Sequence, residues 1–379
     1  MRGSFASAFV CALVGAACST TSSGSGTAGG DDGGTAGDSG LDATAAGDAR
    51  DGASAGDDLG DASSGDGSGG CGAGQTSCNG TCVSTMTDPA NCGSCGHACS
   101  GTFTCQAGVC ASTETCPPPP ANAPPQAAAA ITKENAVRAA MGIACASLVD
   151  ALDTASANHC AYYAANQGNP MCIANPHVEV QSCSMYTGAQ FFDRDSAAGY
   201  GGQPQFEDMA FLGDGAGAVQ ELIDTVWHRT PILSPWNRDV GYGGASGCDT
   251  MDFGVGASTP DTTTATYPYD GQTGVPAAFA GNEGPPPPAP PNGWPSGYPI
   301  HIYLRGGSVS SHVLTLKGNA TPIAHVWLAS GDAAAMGLLP DEYVMYANQP
   351  LSGATAYHVH VDGKQGGNPI AFDWNFTTQ

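Results

Sequence analysis

The chain has 379 residues, enough for two or three domains, but an uneven composition: 55 Gly, 27 Pro, and 10 Lys+Arg against 34 Asp+Glu. With a formal net charge of −24 and its few basic residues scattered, no patch can neutralise a phosphate backbone, which excludes nucleic-acid binding. Sixteen cysteines, most of them clustered, are too many for a reducing cytosol unless they hold metal.

Residues 1–18 read as an export signal: Arg2, then a mostly apolar run from Phe9 to Ala17, too short to span a membrane as a mature helix. The small residues before Cys18 resemble a bacterial lipoprotein signal, with Gly15 where leucine is usual. That implies membrane contact through a lipidated Cys18, with plain secretion as the alternative. Residues 19–70 are almost entirely Gly, Ser, Ala, Thr and Asp, and cannot bury enough apolar surface to offset the entropy of ordering. They read as a disordered tether.

Residues 71–116 hold nine cysteines, in runs such as Asn91-Cys-Gly-Ser-Cys-Gly-His-Ala-Cys99. A segment this small needs covalent staples rather than a core, so disulfides are expected ahead of a zinc ribbon, with the connectivity left open. The segment resembles the cysteine-rich repeat of stigma-specific proteins. Residues 117–130, with Pro117–Pro120, Pro124, Pro125 and an alanine run, read as a second linker.

From 131 to 260, apolar positions recur at helical spacing around Ala136–Ala144 and Leu148–Ala155. A third helix is expected from near Phe211 through Val219, Leu222 and Val226 to Trp227 and His228, stopped by Pro231. Strand-like text follows Gly241, Gly243 and Gly244. From 261 to 379, a Pro-rich loop precedes runs alternating with period two at 299–304, 311–316, 323–328, 356–361 and 370–376. Five or more such strands without a helix predict an immunoglobulin-like β-sandwich. His358 and His360 would share one strand face, which invites a metal reading beside that of ordinary surface histidines.

No phosphate-binding loop, hydrolase elbow or His-Glu-x-x-His zinc motif occurs in the folded text. The histidines of segment 131–260 are His159, His177 and His228, two of them in acidic company: His177-Val-Glu179, and His228 after Asp224. With Glu207 they form a set able to act as general base or to hold a divalent cation.

Several motifs in this segment stand in one order: Asn135-Ala-Val-Arg138-Ala-Ala-Met-Gly142, His159-Cys-Ala-Tyr162, His177, Phe206-Glu207-Asp-Met-Ala210, Trp227-His228-Arg229-Thr-Pro-Ile-Leu233 and Asp239-Val-Gly-Tyr-Gly243. In that order they resemble the superfamily of cysteine-rich secretory, antigen 5 and pathogenesis-related-1 proteins, the CAP domain. The resemblance implies an α/β fold: a CAP-type α-β-α sandwich, here preceded by the disulfide-rich module and followed by the β-sandwich. It implies a central cavity lined by His177, His228 and Glu207. A second carboxylate is usual on the helix before the last histidine; this chain offers Thr225 there, and Glu179 is a stand-in closer to the site than His159, which is read as structural.

The expected function is that of an exported cell-surface protein binding a small molecule, lipid, wall component or protein partner through this cavity, the C-terminal β domain being a further surface for a protein partner. The alternative is a hydrolase of peptide or ester bonds, with His177, Glu207 and His228 as catalytic residues and Glu179 auxiliary. No cofactor is certain. The set His177, His228 and Glu207 would suit zinc or another divalent cation, and a metal-free hydrogen-bonded arrangement stands beside that.

Overall fold

The computed structural model describes residues 71–99, 103–256, 263–335 and 337–379. The proposed signal and tether, 1–18 and 19–70, lie outside the described residues. What is described is mixed α/β, mostly strand, with a disulfide-rich module at its N-terminal end.

That module consists of two hairpins: β1 (Thr76–Cys78) with β2 (Thr81–Val83), and β3 (Phe103–Gln106) with β4 (Val109–Ser112). Four disulfides staple it: Cys71–Cys82, Cys78–Cys95, Cys92–Cys105 and Cys99–Cys110. Its interior is little more than Cys92, Cys105 and Cys110, with Cys99 and Phe103 against them. Cys116 pairs onward with Cys145, so all fourteen cysteines from Cys71 are disulfide-bonded.

Helix α1 (Pro125–Ala140) begins inside the stretch expected to be linker. Pro125 is preorganised for the first turn, and the alanines behind it are the best helix formers, so the run extends the helix rather than preceding it. Then come β5 (Ser147–Leu148), α2 (Asp150–Asn166), α3 (Phe191–Ala197), β6 (Gln203–Ala210), α4 (Gly215–Ile223), α5 (Arg229–Leu233), β7 (Asp239–Ala245) and β8 (Cys248–Val255). The expected helix through to His228 is in fact two: α4 stops at Ile223, and His228 is the N-cap of α5. The glycines expected to precede a strand lie within β7.

The sheet order is β5-β7-β8-β6. Alternation assigns its faces. Gly241 and Gly243 turn toward α2, where a Cβ on Gly243 would stand 2.1 Å from the Ala157 nitrogen; Asp252, cross-strand from Gly241, meets Ser156 of α2. The intervening Val240, Tyr242, Met251 and Phe253 join one core with Ile131 of α1 and Val219 of α4. Cys160–Cys248 ties α2 to β8.

Two four-stranded sheets follow. One has the order β10 (Gln272–Val275), β16 (Asn368–Thr378), β15 (Ala356–Gln365), β12 (Gly307–Leu316); the other has β13 (His325–Ala329), β14 (Glu342–Ala347), β11 (Ile300–Tyr303), β9 (Ala265–Tyr267). The described residues belong to one compact unit, and the core of the helical segment continues without a break into Ile300, Leu314, Val359 and Phe376. Arg229 fastens the join: it donates to the Ile223 and Pro299 carbonyls and lies over the rings of Tyr267 and Tyr298.

Candidate functional site

His177 sits on the loop between α2 and α3, held at several points. Cys172–Cys183 closes the loop; Tyr162 of α2 donates to the Cys172 carbonyl at 2.7 Å and accepts from the Val180 N–H at 2.9 Å. The His177 N–H is in turn held by the Asn175 side chain at 3.0 Å. These bonds aim the imidazole at β6, where its Nδ1 lies 3.0 Å from Glu207 Oε1. The His177 side chain is 35% exposed and that of Glu207 1%.

Around Glu207 the charges are interleaved. Arg194 of α3 binds its other oxygen and lies 3.9 Å from Glu179. Fully buried His159 stands between the two carboxylates, with Nδ1 3.0 Å from Glu179 and Nε2 2.8 Å from the Pro176 carbonyl and 3.8 Å from Glu207. Both hydrogen-bond neighbours of this ring, Glu179 and the Pro176 carbonyl, are acceptors. Glu179 also accepts from the Thr187 N–H at 2.6 Å. Burial alone would raise the Glu207 pKa, but His159, Arg194 and His177 outweigh it and hold this carboxyl at about 2. The acids beside it move the other way: burial and the Glu207 charge push Asp195 up to about 7 and Asp252 well above the usual range. The negative charge on Glu207 thus disfavours ionisation of Asp195 and Asp252 beside it.

His228 belongs to a second group, built on the opposite side of β6. Successive strand residues face opposite ways, so Glu207 points to α2 and Asp208 away from it. His228 Nδ1 lies 3.2 Å from Glu283, a residue of the Pro-rich loop after the helical segment. Glu283 also accepts the N–H groups of Val226 and Trp227 at 2.7 and 2.8 Å, satisfying the chain between α4 and α5. Burial raises Asp208 to about 8 despite the opposing His228 charge. Burial lowers the His228 pKa, but Glu283 and Asp208 together raise it above the ordinary value.

The structure therefore brings His177 and Glu207 together and pairs His228 with a different acid. No hydrogen bond or ion pair joins His228 to Glu207 among the described residues. His159, read as structural, lies between Glu179 and Glu207, and Arg194 also stands beside both acids. Thr225 spends its hydroxyl on the Leu222 carbonyl. The acid that pairs with His228 is Glu283, whose text, Asn282-Glu-Gly-Pro285, carries no signal of it. Among the described residues, the His/Cys/Asp/Glu groups whose ligand atoms already lie within 4.8 Å of one another are Cys92, Cys99, Cys110 and His97, Cys110, Asp270. Their cysteines are consumed by disulfides.

Comparison with known families matches residues 59–113 to the Stigma-specific STIG1-like protein family. The match covers the cysteine-rich segment, and the disulfides fall where that segment was expected to be stapled. No curated protein matches the chain.

Proposed function

We propose that the chain is an exported cell-surface protein that binds a ligand through His177, on a CAP-type α-β-α domain followed by an immunoglobulin-like sandwich. The carrying observation is that His177 is the site's one imidazole both anchored on a buried carboxylate and open to solvent. Glu207 stays ionised, so Nδ1 is the protonated nitrogen and the lone pair of Nε2 faces outward. Such an edge accepts from a ligand hydroxyl or amide N–H. Seven disulfides suit an oxidising compartment, and no helix among the described residues is long and apolar enough to cross a membrane. Attachment, in this reading, is through a lipidated Cys18.

The same outward lone pair favours a second reading, in which His177 takes a proton from water in peptide or ester hydrolysis. No Ser, Thr or Cys side chain hydrogen-bonds His177 among the described residues, so water is the nucleophile of that reading. The test incubates full-length protein with muropeptides and with phosphatidylglycerol/phosphatidylethanolamine vesicles, then measures retained ligand by mass spectrometry after gel filtration. Retention lost in His177→Ala and kept in His228→Ala is the expected result; retention unchanged in His177→Ala overturns the reading. Turnover of a peptide or ester panel that His177→Ala abolishes would select hydrolysis.

A further inference from the structure

The outer face of the sheet β10-β16-β15-β12 carries a second histidine cluster, unconnected with Glu207. His358 and His360 stand two apart on β15, so both rings leave the same face. The ladder fixes what they meet: Asp373 of β16 is directly across from His360, and Asn375 from His358. Both rings turn to one atom. Asp373 Oδ1 lies 3.1 Å from His358 Nε2 and 2.9 Å from His360 Nδ1. The remaining nitrogen of His360 lies 3.2 Å from Asp362 Oδ2, an oxygen that also accepts from Ser311 at 2.8 Å. That of His358 lies 3.2 Å from Asn375 Oδ1.

Four ring nitrogens thus face three oxygens, that of Asp373 being shared between the rings. A neutral imidazole has one N–H to give, so each neutral ring keeps one nitrogen lone pair to offer. With neutral rings, two lone pairs and two carboxylates converge on one patch of a chain already at −24. A cation resolves that excess.

We propose that His358, His360 and Asp373, with Asp362 beside them, form a surface site for a divalent transition-metal cation of the zinc, copper or nickel class. Two imidazoles and a carboxylate suit these ions, whereas magnesium and calcium take all-oxygen shells. The donors close on the ion by side-chain rotation alone, since each is about a third or more exposed while the ladder between them stays paired. Ser311 orients Asp362 from outside the ligand set. The edge of the site is fixed from the cysteine-rich module, because His97 Nε2 caps the Asp373 carbonyl at 3.2 Å. This site is independent of the ligand reading at His177.

The test is zinc calorimetry at pH 7.5 on the full, metal-stripped chain carrying no histidine tag. The expected result is a site whose affinity falls roughly tenfold or more in the His358→Ala/His360→Ala double variant, falls less in Asp373→Asn, and is unchanged in His177→Ala. Zinc binding that survives the double variant, or is lost in His177→Ala, overturns the proposal, as does absence of binding in the wild type. A readout that needs no variant is histidine modification by diethyl pyrocarbonate, mapped by mass spectrometry. Zinc should protect His358 and His360 and leave His177 reactive, and equal modification with and without zinc counts against the site.

Discussion

The cysteine-rich module and the helical segment behind it hold their shapes by opposite means. In the module four disulfides close loops around an interior made mostly of cysteine, and its polar groups stay near water. The helical segment buries an arginine, a histidine and four acids on one face of its sheet, where Arg194, His159, Glu179, Glu207, Asp195 and Asp252 are each 9% exposed or less. Covalent staples tolerate nearly any side chain between them. A buried charge set tolerates little change, because Arg194, His159, Glu179 and Glu207 are one another's counter-charges or hydrogen-bond partners. The exposed chemistry, His177, sits on the second kind of scaffold.

Removing the shared cation should break the helical segment first. Arg194→Met leaves Glu207 and Glu179 buried without it and is expected to cost about 3–5 kcal/mol in urea unfolding with disulfides intact. Next is the module: replacing Cys92 and Cys105 together by serine should cost about 2–5 kcal/mol, confined to that module. Limited proteolysis should then cut within 71–112 while the helical segment stays whole; joint loss of both would contradict the contrast. A smaller change tests the close contact of sheet and helix. Gly243→Ala places a methyl against the backbone of α2 and should destabilise by about 1–3 kcal/mol, read as a lower melting temperature.

pH acts on the buried acids together. Burial raises Asp208 and Glu342 to about 8, and Asp195 and Glu134 to about 7, from ordinary values of 3.8 for Asp and 4.5 for Glu. Between those limits the folded chain keeps protons that the unfolded chain has released, so stability falls as pH rises from about 4 to about 8. Melting should be several degrees higher at pH 5.5 than at pH 8, and Asp208→Asn should flatten part of that slope. Glu207 works oppositely, with its pKa depressed to about 2. Its contribution is present above the unfolded carboxyl value and is lost only as pH falls toward 2.

What the sequence revealed follows the same division. Cysteine spacing announced the staples, because small loops leave a thiol few partners. Period-two alternation located β15, whose Tyr357, Val359 and Val361 are buried while His358 and His360 are half-exposed. It missed β14, which is covered on both faces and buried along its whole length, so no alternation is written into it. At the site, the CAP resemblance, rather than any local pattern, drew His177, Glu207 and His228 to one centre. Strand geometry decides otherwise, putting Glu207 and Asp208 on opposite faces. The partner of His228 is Glu283, and a contact across 55 residues leaves no local pattern to read.

The central claim is that the ligand meets His177 on its Glu207 anchor while His228 stays with Glu283. The direct measurement follows the histidine ring resonances by NMR during titration of the full-length protein with the retained muropeptide or lipid, the His177 signal being assigned by its loss in His177→Ala. The account predicts that the His177 resonance moves and saturates with ligand while that of His228 stays in place. Movement of His228 with His177 unperturbed would contradict it.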